Sequence, residues 1–163
     1  KIRVDKEGAG MGWGAVYAQY LESMDQIGEQ GNGLSVSRQL YKGDEALNES
    51  APLKVGDRIT VRLTVKADRD MDFVQIKDDR AACMEPLQAV SGFRWGNGLG
   101  YYQATKDAST QFFIDQMRKG TYVIEYQVYV NRTGEYQAGI ATVQSAYAPE
   151  FGGHTGGYRV MVE

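Results

Sequence analysis

The chain has 163 residues and a formal net charge of −3, which fits one domain and excludes the clustered basic surface of nucleic-acid-binding domains. It contains 20 glycines and 11 tyrosines but only 3 prolines, and turns joined to aromatic segments favour an all-β chain over a disordered one. No apolar run approaches the roughly 20 residues that span a bilayer, so direct membrane insertion is not expected.

The N-terminal part is predicted to be a connection to something upstream. Residues 1–4 have the pattern of a strand, and residues 5–14 are a glycine-rich connector. We therefore assign residues 1–11 to a connector or the last strand of a preceding domain, and residues 12–163 to a single β-sandwich domain. The start at Lys1 instead of Met predicts a processed chain or an excised piece.

Two segments carry both helical and strand signals. In residues 13–27 the apolar side chains fall at helical spacing, and residues 107–120 offer an Asp cap, apolar positions and a closing Gly. Aromatic and β-branched residues in 13–20 and 110–114 suit strands. We favour strands for both segments, so at most one short helix is expected.

Period-two alternation predicts the clearest strands, at residues 58–66 and 121–130, each with one buried face. Weaker strand candidates are residues 34–41, 71–77, 100–105, 110–114, 136–144 and 158–162. Long loops are predicted at residues 42–52 and 84–99. Short strands separated by turns predict an all-β fold, an antiparallel β-sandwich or barrel.

Residues that could carry catalysis are few. His154 is the single histidine, and we expect it in a loop near the surface. Asp78 and Asp79 offer hard oxygen ligands for Ca²⁺, but the adjacent Arg80 favours a turn with an internal ion pair. We therefore predict no catalytic residue, no metal site and no cofactor.

Several short segments occur together in a specific order. They are GWGAVYAQYL at 12–21, LKVGD at 53–57, DRDMDF at 68–73, KDDRA at 77–81 with EP at 85–86, GYY at 100–102 with KDA at 106–108, KGTY at 119–122 and YAPE at 147–150. In this order they resemble the C-terminal, last macroglobulin-like domain of the bacterial alpha-2-macroglobulin family. The resemblance covers residues 12 to the end.

The resemblance implies an immunoglobulin-like β-sandwich that closes a much larger protease trap of the periplasm or cell envelope. In such a protein the domain packs near a thioester domain and helps to shield it. Its partners would be the thioester domain and neighbouring macroglobulin domains, with target proteases met through the full-length protein. A structural, non-catalytic role follows, and the chain is not expected to be an enzyme.

The segment from Cys83 to Pro86 is similar to the family's thioester motif, Cys-x-Glu-Gln. Proline stands where the motif has glutamine and has no side-chain acyl group to give. Gln88 lies two positions too far along the chain. We predict no thioester here and an ordinary free thiol at Cys83.

Exposed aromatic residues in loops are candidates for interdomain contact, because large rings provide contact area at low entropic cost. The candidates lie in the aromatic segment 93–95 that leads to residues 101–102, and in the segment 147–151. They are Phe93, Trp95, Tyr101, Tyr102, Tyr147, Glu150 and Phe151, with Trp95 and Tyr147 expected on the contact surface. The alternative is a secreted carbohydrate-binding or adhesion β-sandwich module. It would present Trp13, Trp95 and paired tyrosines as a flat row of exposed rings.

Overall fold

The computed structural model describes residues 3–19, 21–23, 27–48 and 51–163, and within them all regular secondary structure is β-strand. The predicted all-β class is therefore confirmed. The strands are β1 (Gln30–Asn32), β2 (Leu34–Lys42), β3 (Glu45–Ala46), β4 (Arg58–Ala67), β5 (Met71–Asp79), β6 (Met84–Pro86), β7 (Gly92–Gly96), β8 (Leu99–Thr105), β9 (Ser109–Met117), β10 (Gly120–Val130), β11 (Gly134–Ala138), β12 (Ala141–Ser145), β13 (Gly152–His154) and β14 (Tyr158–Val162).

The strands form an antiparallel β-sandwich. A 12-stranded sheet runs in the order β6-β10-β4-β2-β1-β13-β12-β5-β9-β8-β7, with β3 beside β2, and β11 and β14 form a separate 2-stranded sheet. The β6-β10-β4-β2 half packs on the β12-β5-β9-β8-β7 half. Phe112 of β9 and Tyr126 of β10 meet between these halves, with ring centroids 5.8 Å apart.

Alternation builds the core as predicted from the sequence. On β4 the side chains of Ile59, Val61, Leu63 and Val65 are buried, because every second residue of a strand points to the same face. They pair with β10, where Leu63 lies opposite Ile124 and Val61 opposite Tyr126. The predicted strands at 58–66 and 121–130 are thus confirmed within one residue of each end.

The predicted strand at 136–144 is divided into β11 and β12. A Cβ at Gly139 would collide with the Asp79 side chain, so the backbone passes close to β5 there. The Gly139 carbonyl accepts a hydrogen bond from Arg38 Nη2 at 2.6 Å instead of continuing the ladder. Close packing and a side-chain donor end the strand at a glycine that a local pattern passes over.

Two predicted loops contain strands. Residues 84–99 include β6 and β7, so the loop prediction is wrong for most of that segment, and residues 42–52 include the short β3. Asn97 and Gly98 both have positive φ, 51° and 76°, as a two-residue type I′ hairpin turn requires. This Asn-Gly pair between aromatic residues is the signal that would have identified the β7–β8 hairpin.

The two ambiguous segments have different outcomes. Residues 110–114 lie in β9, so the strand prediction is confirmed and the helical alternative is wrong. The strand predicted at 13–20 is wrong, since described residues 13–19 have no regular structure; Tyr20 lies outside the described residues, as do Lys1 and Ile2 of the predicted first strand. The predicted domain start at residue 12 stays a prediction, while the first described strand begins at Gln30.

Candidate interaction surface

A tight hairpin carries the first two aromatic side chains of the candidate surface. On β7, Phe93 and Trp95 point to the outside of the sandwich and are 79% and 80% exposed. Trp95 pairs with Gly100 on β8, and its ring covers this glycine so closely that an added Cβ would lie 2.7 Å from it. The indole therefore rests on bare backbone at the edge of the sheet.

The aromatic surface continues from β7 across two more strands, β8 and β9. Phe93 lies opposite Tyr102 on β8, with ring centroids 5.1 Å apart in an edge-to-face arrangement. Tyr102 in turn lies opposite Phe113 on β9. Cross-strand neighbours of this kind face the same side of a sheet, so three rings form one row.

Phe73 and Tyr147 form a second pair of rings on the outside of the sandwich. The centroid of Phe73 on β5 lies 5.0 Å from that of Tyr147, edge to face. Phe73 has a φ of 53° inside a strand, which is unusual for a bulky residue. The backbone there turns both Asp72 and Phe73 outward, between buried Met71 and Val74. We call the surface formed by these residues the outer aromatic face: Phe73, Phe93, Trp95, Tyr102, Phe113 and Tyr147.

The other residues proposed from the sequence occupy different places. Tyr101 points inward and packs edge to face on buried Phe112, with centroids 5.7 Å apart. Phe151 is half-buried against Gly33, where a Cβ would lie 2.6 Å from its ring, and it anchors the loop. Glu150 is exposed at the turn of that loop, and its carbonyl accepts a hydrogen bond from Asn32.

The sequence pattern missed Phe113 and Phe73 as members of this surface, whereas Phe93 belongs to the aromatic segment 93–95 that it proposed. Phe113 occupies an outward position of β9, so period two applied to that strand would have found it. Nothing local signals the exposure of Phe73, because it depends on its left-handed backbone.

The rings of the outer aromatic face do not lie flat. The planes of Phe93 and Tyr102 meet at 76°, and those of Phe73 and Tyr147 at 85°. A sugar-stacking platform needs rings that present their faces side by side. These two pairs therefore lack the flat row that the carbohydrate-binding alternative predicts.

Charged groups are held inside the sandwich. Arg38 of β2 forms an ion pair with Asp78 of β5, with side chains 5% and 2% exposed, and Tyr126 of β10 donates a hydrogen bond to the other Asp78 oxygen at 2.6 Å. The Arg38 guanidinium also lies 4.6 Å from the centre of the Tyr158 ring. We call Arg38, Asp78, Tyr126 and Tyr158 the buried polar cluster.

Burial and charge act in opposite directions in this cluster. Burial raises the pKa of Asp78, yet both of its oxygens accept hydrogen bonds, which favours the carboxylate. Burial opposes the charge on Arg38, but the nearby Asp78 outweighs it, so the pKa of Arg38 is raised. Burial also raises the pKa of Tyr126 and of Tyr158. The cluster therefore holds an ionised Arg–Asp pair beside two neutral phenols at neutral pH.

The remaining residues with possible chemistry are structural. The expected ion pair inside the 78–80 turn is wrong: Asp78 pairs with Arg38, Asp79 with Lys77, and Arg80 donates to Thr110 Oγ1 at 2.7 Å. His154 lies in β13, so its placement in a loop is also wrong, and its side chain is half-buried. Cys83 is free and fully buried, and burial raises the pKa of its thiol.

The described residues contain no group of three or more His, Cys, Asp or Glu side chains placed to hold a metal ion. No helix with the length and hydrophobicity of a membrane span occurs among them.

Comparison with known proteins places the fold in a family. A family model described as the bacterial alpha-2-macroglobulin MG10 domain matches residues 33–150. The Y1175G mutant of Salmonella alpha-2-macroglobulin superposes with a TM-score of 0.71 at 19% identity, over 83% of this chain and 10% of that chain. Escherichia coli alpha-2-macroglobulin activated by porcine elastase gives 0.72 at 16% identity, over 84% of this chain and 14% of that one.

A curated protein also matches, "Circularly permutated Ras protein 2" of Dictyostelium discoideum, at 27% identity over 169 residues. The match covers 99% of this chain but only 4% of that protein. The chain therefore corresponds to a small part of each relative. The structural matches at this level of identity support the fold, and the family model covers most of the sequence. The family identified from the sequence is therefore confirmed: the chain belongs to the MG10 domains of bacterial alpha-2-macroglobulins.

Proposed function

We propose that this domain serves as a structural, non-catalytic part of a macroglobulin-type protease trap in the periplasm or cell envelope. It packs through its outer aromatic face against a neighbouring domain of the same polypeptide and shields the thioester domain. Target proteases meet it through the full-length protein. The observation that carries the proposal is the outer aromatic face itself.

The exposure of this face supports a packing role. Trp95 and Phe93 lie side by side on β7, and Tyr147, 78% exposed, packs on Phe73. Contiguous apolar patches on a soluble domain mark interaction surfaces, and aromatic residues are enriched at the centres of protein interfaces. The edge-to-face rings form an irregular surface that suits protein packing better than sugar stacking.

The family supports the setting of this role. One Escherichia coli relative is described as trypsin-activated and another as activated by porcine elastase, and a Salmonella relative as reacted with methylamine. A domain inside such a protein contributes by its position relative to its neighbours. The candidate contacts Trp95 and Tyr147 fit this role, while Tyr101 packs inward on Phe112 and Phe151 anchors the loop that carries Tyr147 against Gly33.

The proposal is tested by comparing the isolated chain with the complete polypeptide encoded by its reading frame. Both are footprinted with hydroxyl radicals, and oxidation of each residue is measured by mass spectrometry. We expect strong protection of Trp95 and Tyr147 in the complete polypeptide, and a change in that protection when a protease is added. Met161, exposed on β14, serves as the control site. Equal oxidation of Trp95 and Tyr147 in both forms would refute packing through this face.

A further inference from the structure

Strand β7 lies at one end of the 12-stranded sheet and pairs only with β8 among the described strands. The two-residue turn at Asn97 and Gly98 makes Gly96 and Leu99 the closing pair of the hairpin. Hydrogen-bonded and non-hydrogen-bonded pairs alternate in an antiparallel ladder. Arg94 therefore bonds to β8, while the backbone groups of Phe93 and Trp95 point away from it.

These outward backbone groups have few protein partners. The Phe93 carbonyl accepts a long hydrogen bond of 3.3 Å from the Arg94 side chain, at an exposed position. In the part of the chain that the structure describes, no partner is found for the Phe93 N–H or for the N–H and C=O of Trp95. Free groups at a two-residue spacing are a template for an added strand.

The side chains of β7 lack the protection that edge strands usually have. Charged residues, proline and bulges normally prevent pairing at a sheet edge, but Phe93 and Trp95 are apolar and exposed. The one charge, Arg94, binds the carbonyls of Phe93 and Val90, and no carboxylate partner is found for it among the described residues. An incoming strand would find apolar contacts on one face and an uncompensated cation on the other.

The position of Arg94 also argues against a second copy as the occupant. A two-fold dimer would pair two β7 strands antiparallel. The register that pairs Phe93 with Trp95 of the other copy sets Arg94 directly opposite Arg94, and like charges directly opposite are destabilising. An acidic residue at that position would be favourable instead.

We propose that β7 accepts an extended segment with the pattern apolar-acidic-apolar, added as an antiparallel strand beside Phe93, Arg94 and Trp95. The acidic side chain pairs with Arg94, and the apolar ones extend the outer aromatic face. The proposal rests on the proposed function for the source of the segment, a neighbouring domain of the same polypeptide. The edge itself can be tested on this chain alone.

The test uses short capped peptides centred on Val-Glu-Val or Val-Lys-Val, titrated into the ¹⁵N-labelled chain. We expect the Glu peptide to bind about fivefold more tightly, since opposite and like charges shift cross-strand pairing in opposite directions. The amides of Phe93 and Trp95 should gain protection from hydrogen exchange. The Arg94 amide, already bonded to β8, should change little and is the internal control.

Variants separate the charge from the strand edge. Arg94→Glu should reverse the preference toward the Lys peptide, and Arg94→Gln should remove it. Trp95→Pro lacks the outward N–H and should bind at least about fivefold more weakly than Trp95→Ala, which keeps it. Unchanged β9 chemical shifts show that each variant is folded.

Three results would overturn the proposal. They are no added protection at Phe93 and Trp95 with saturating peptide, an unchanged preference in both Arg94 variants, and protection that rises with protein concentration alone, which would assign the edge to a second copy. Peptide binding without Trp95 protection in the complete polypeptide would refute the proposed function but keep the strand site. Protection of Trp95 in the complete polypeptide without peptide binding would refute the strand site but keep the proposed function.

Discussion

Two regions of this domain reverse the usual distribution of side chains. The buried polar cluster places an arginine and an aspartate between the layers, whereas the outer aromatic face leaves five aromatic side chains exposed and Tyr102 half-buried. In the cluster, Arg38, Asp78 and Tyr126 supply one another's hydrogen bonds. On the aromatic face, two ring pairs meet edge to face, and Phe93, Trp95 and Tyr147 remain more than three-quarters exposed.

The difference shows that completeness of contacts indicates the role of a region better than polarity does. Buried charges are tolerated where their partners satisfy them, so the cluster fixes how β2, β5 and β10 are arranged. Apolar rings left uncovered mark a surface that another protein can complete. The following predictions test this contrast, from the largest expected effect to the smallest.

The cluster should be the more sensitive region. Asp78→Ala leaves the Arg38 charge buried without its carboxylate, and should cost about 3–5 kcal/mol of unfolding free energy in urea titrations. Glu125→Ala breaks the Arg62–Glu125 pair, whose side chains are both 42% exposed, and should cost much less because water screens this pair. Similar losses of unfolding free energy from the two changes would mean that the buried Arg38–Asp78 pair does not stabilise the fold more than an exposed pair does.

Alkaline pH should destabilise the domain through the same cluster. Unfolded tyrosines release their protons near pH ~10, whereas burial raises the pKa of Tyr126 and Tyr158, so the native state holds more protons. Unfolding free energy should fall above pH ~10 by up to about 1.4 kcal/mol per pH unit for each tyrosine.

Urea unfolding followed by circular dichroism across this pH range measures the loss. Tyr158→Phe should reduce the slope, while Tyr129→Phe, at an exposed position on β10, should leave it unchanged. The opposite ranking of the two variants would contradict the assignment to the cluster. Buried Cys83, whose pKa is also raised, adds a contribution that begins at lower pH, because the ordinary pKa of a thiol is below that of a phenol, and that is common to both variants.

Two glycines should distinguish an anchored ring from a free one. Gly33 has a φ of +71°, and a Cβ there would lie 2.6 Å from the Phe151 ring. Gly33→Ala should therefore cost more than the roughly 1–2 kcal/mol expected from the left-handed backbone alone, because the half-buried Phe151 ring has little room to move. Gly100→Ala meets the exposed Trp95 ring, which can swing away, and should cost under about 0.5 kcal/mol while changing Trp fluorescence. A large loss at Gly100 would show that Trp95 is fixed.

The smallest effect is expected on the aromatic face itself. Trp95→Ala and Tyr147→Ala should each change unfolding free energy by no more than about 0.5 kcal/mol in the isolated chain. Tyr101→Ala, which removes a ring packed on Phe112, should cost more than either. Thermal melts of the three variants measure these losses. If Trp95→Ala proved as costly as Tyr101→Ala, the aromatic face would contribute to the stability of the isolated domain.

Sequence patterns predicted the elements that depend on local side-chain alternation. Strands β4 and β10 follow from residues two apart, since a sheet with one buried face requires that period, while β9 was favoured by its aromatic and β-branched residues. The same argument fails at Gly139, where contact with Asp79 breaks a strand, and at Phe73, where the backbone reverses the direction of a side chain. Both depend on packing between strands distant in sequence.

The candidate surface was predicted in part for the same reason. Trp95, Tyr102 and Tyr147 lie on it. Tyr101 points to the core, although its neighbour Tyr102 faces outward. Adjacent residues of a strand face opposite sides, and a pair of tyrosines therefore cannot form one platform. Composition indicates that aromatic residues are abundant, while strand register decides which of them are exposed.

The sequence alone determined the all-β class, most strand positions and the family, because these depend on local periodicity and on an ordered set of short segments. Only the tertiary structure decided that Asp78 pairs with Arg38, 40 positions earlier, and that Phe93, Phe113 and Phe73 share a surface. A chain pattern records which residue types follow one another. Which side chains contact one another is decided when the layers pack, because desolvation and strand register depend on strands that are distant in sequence.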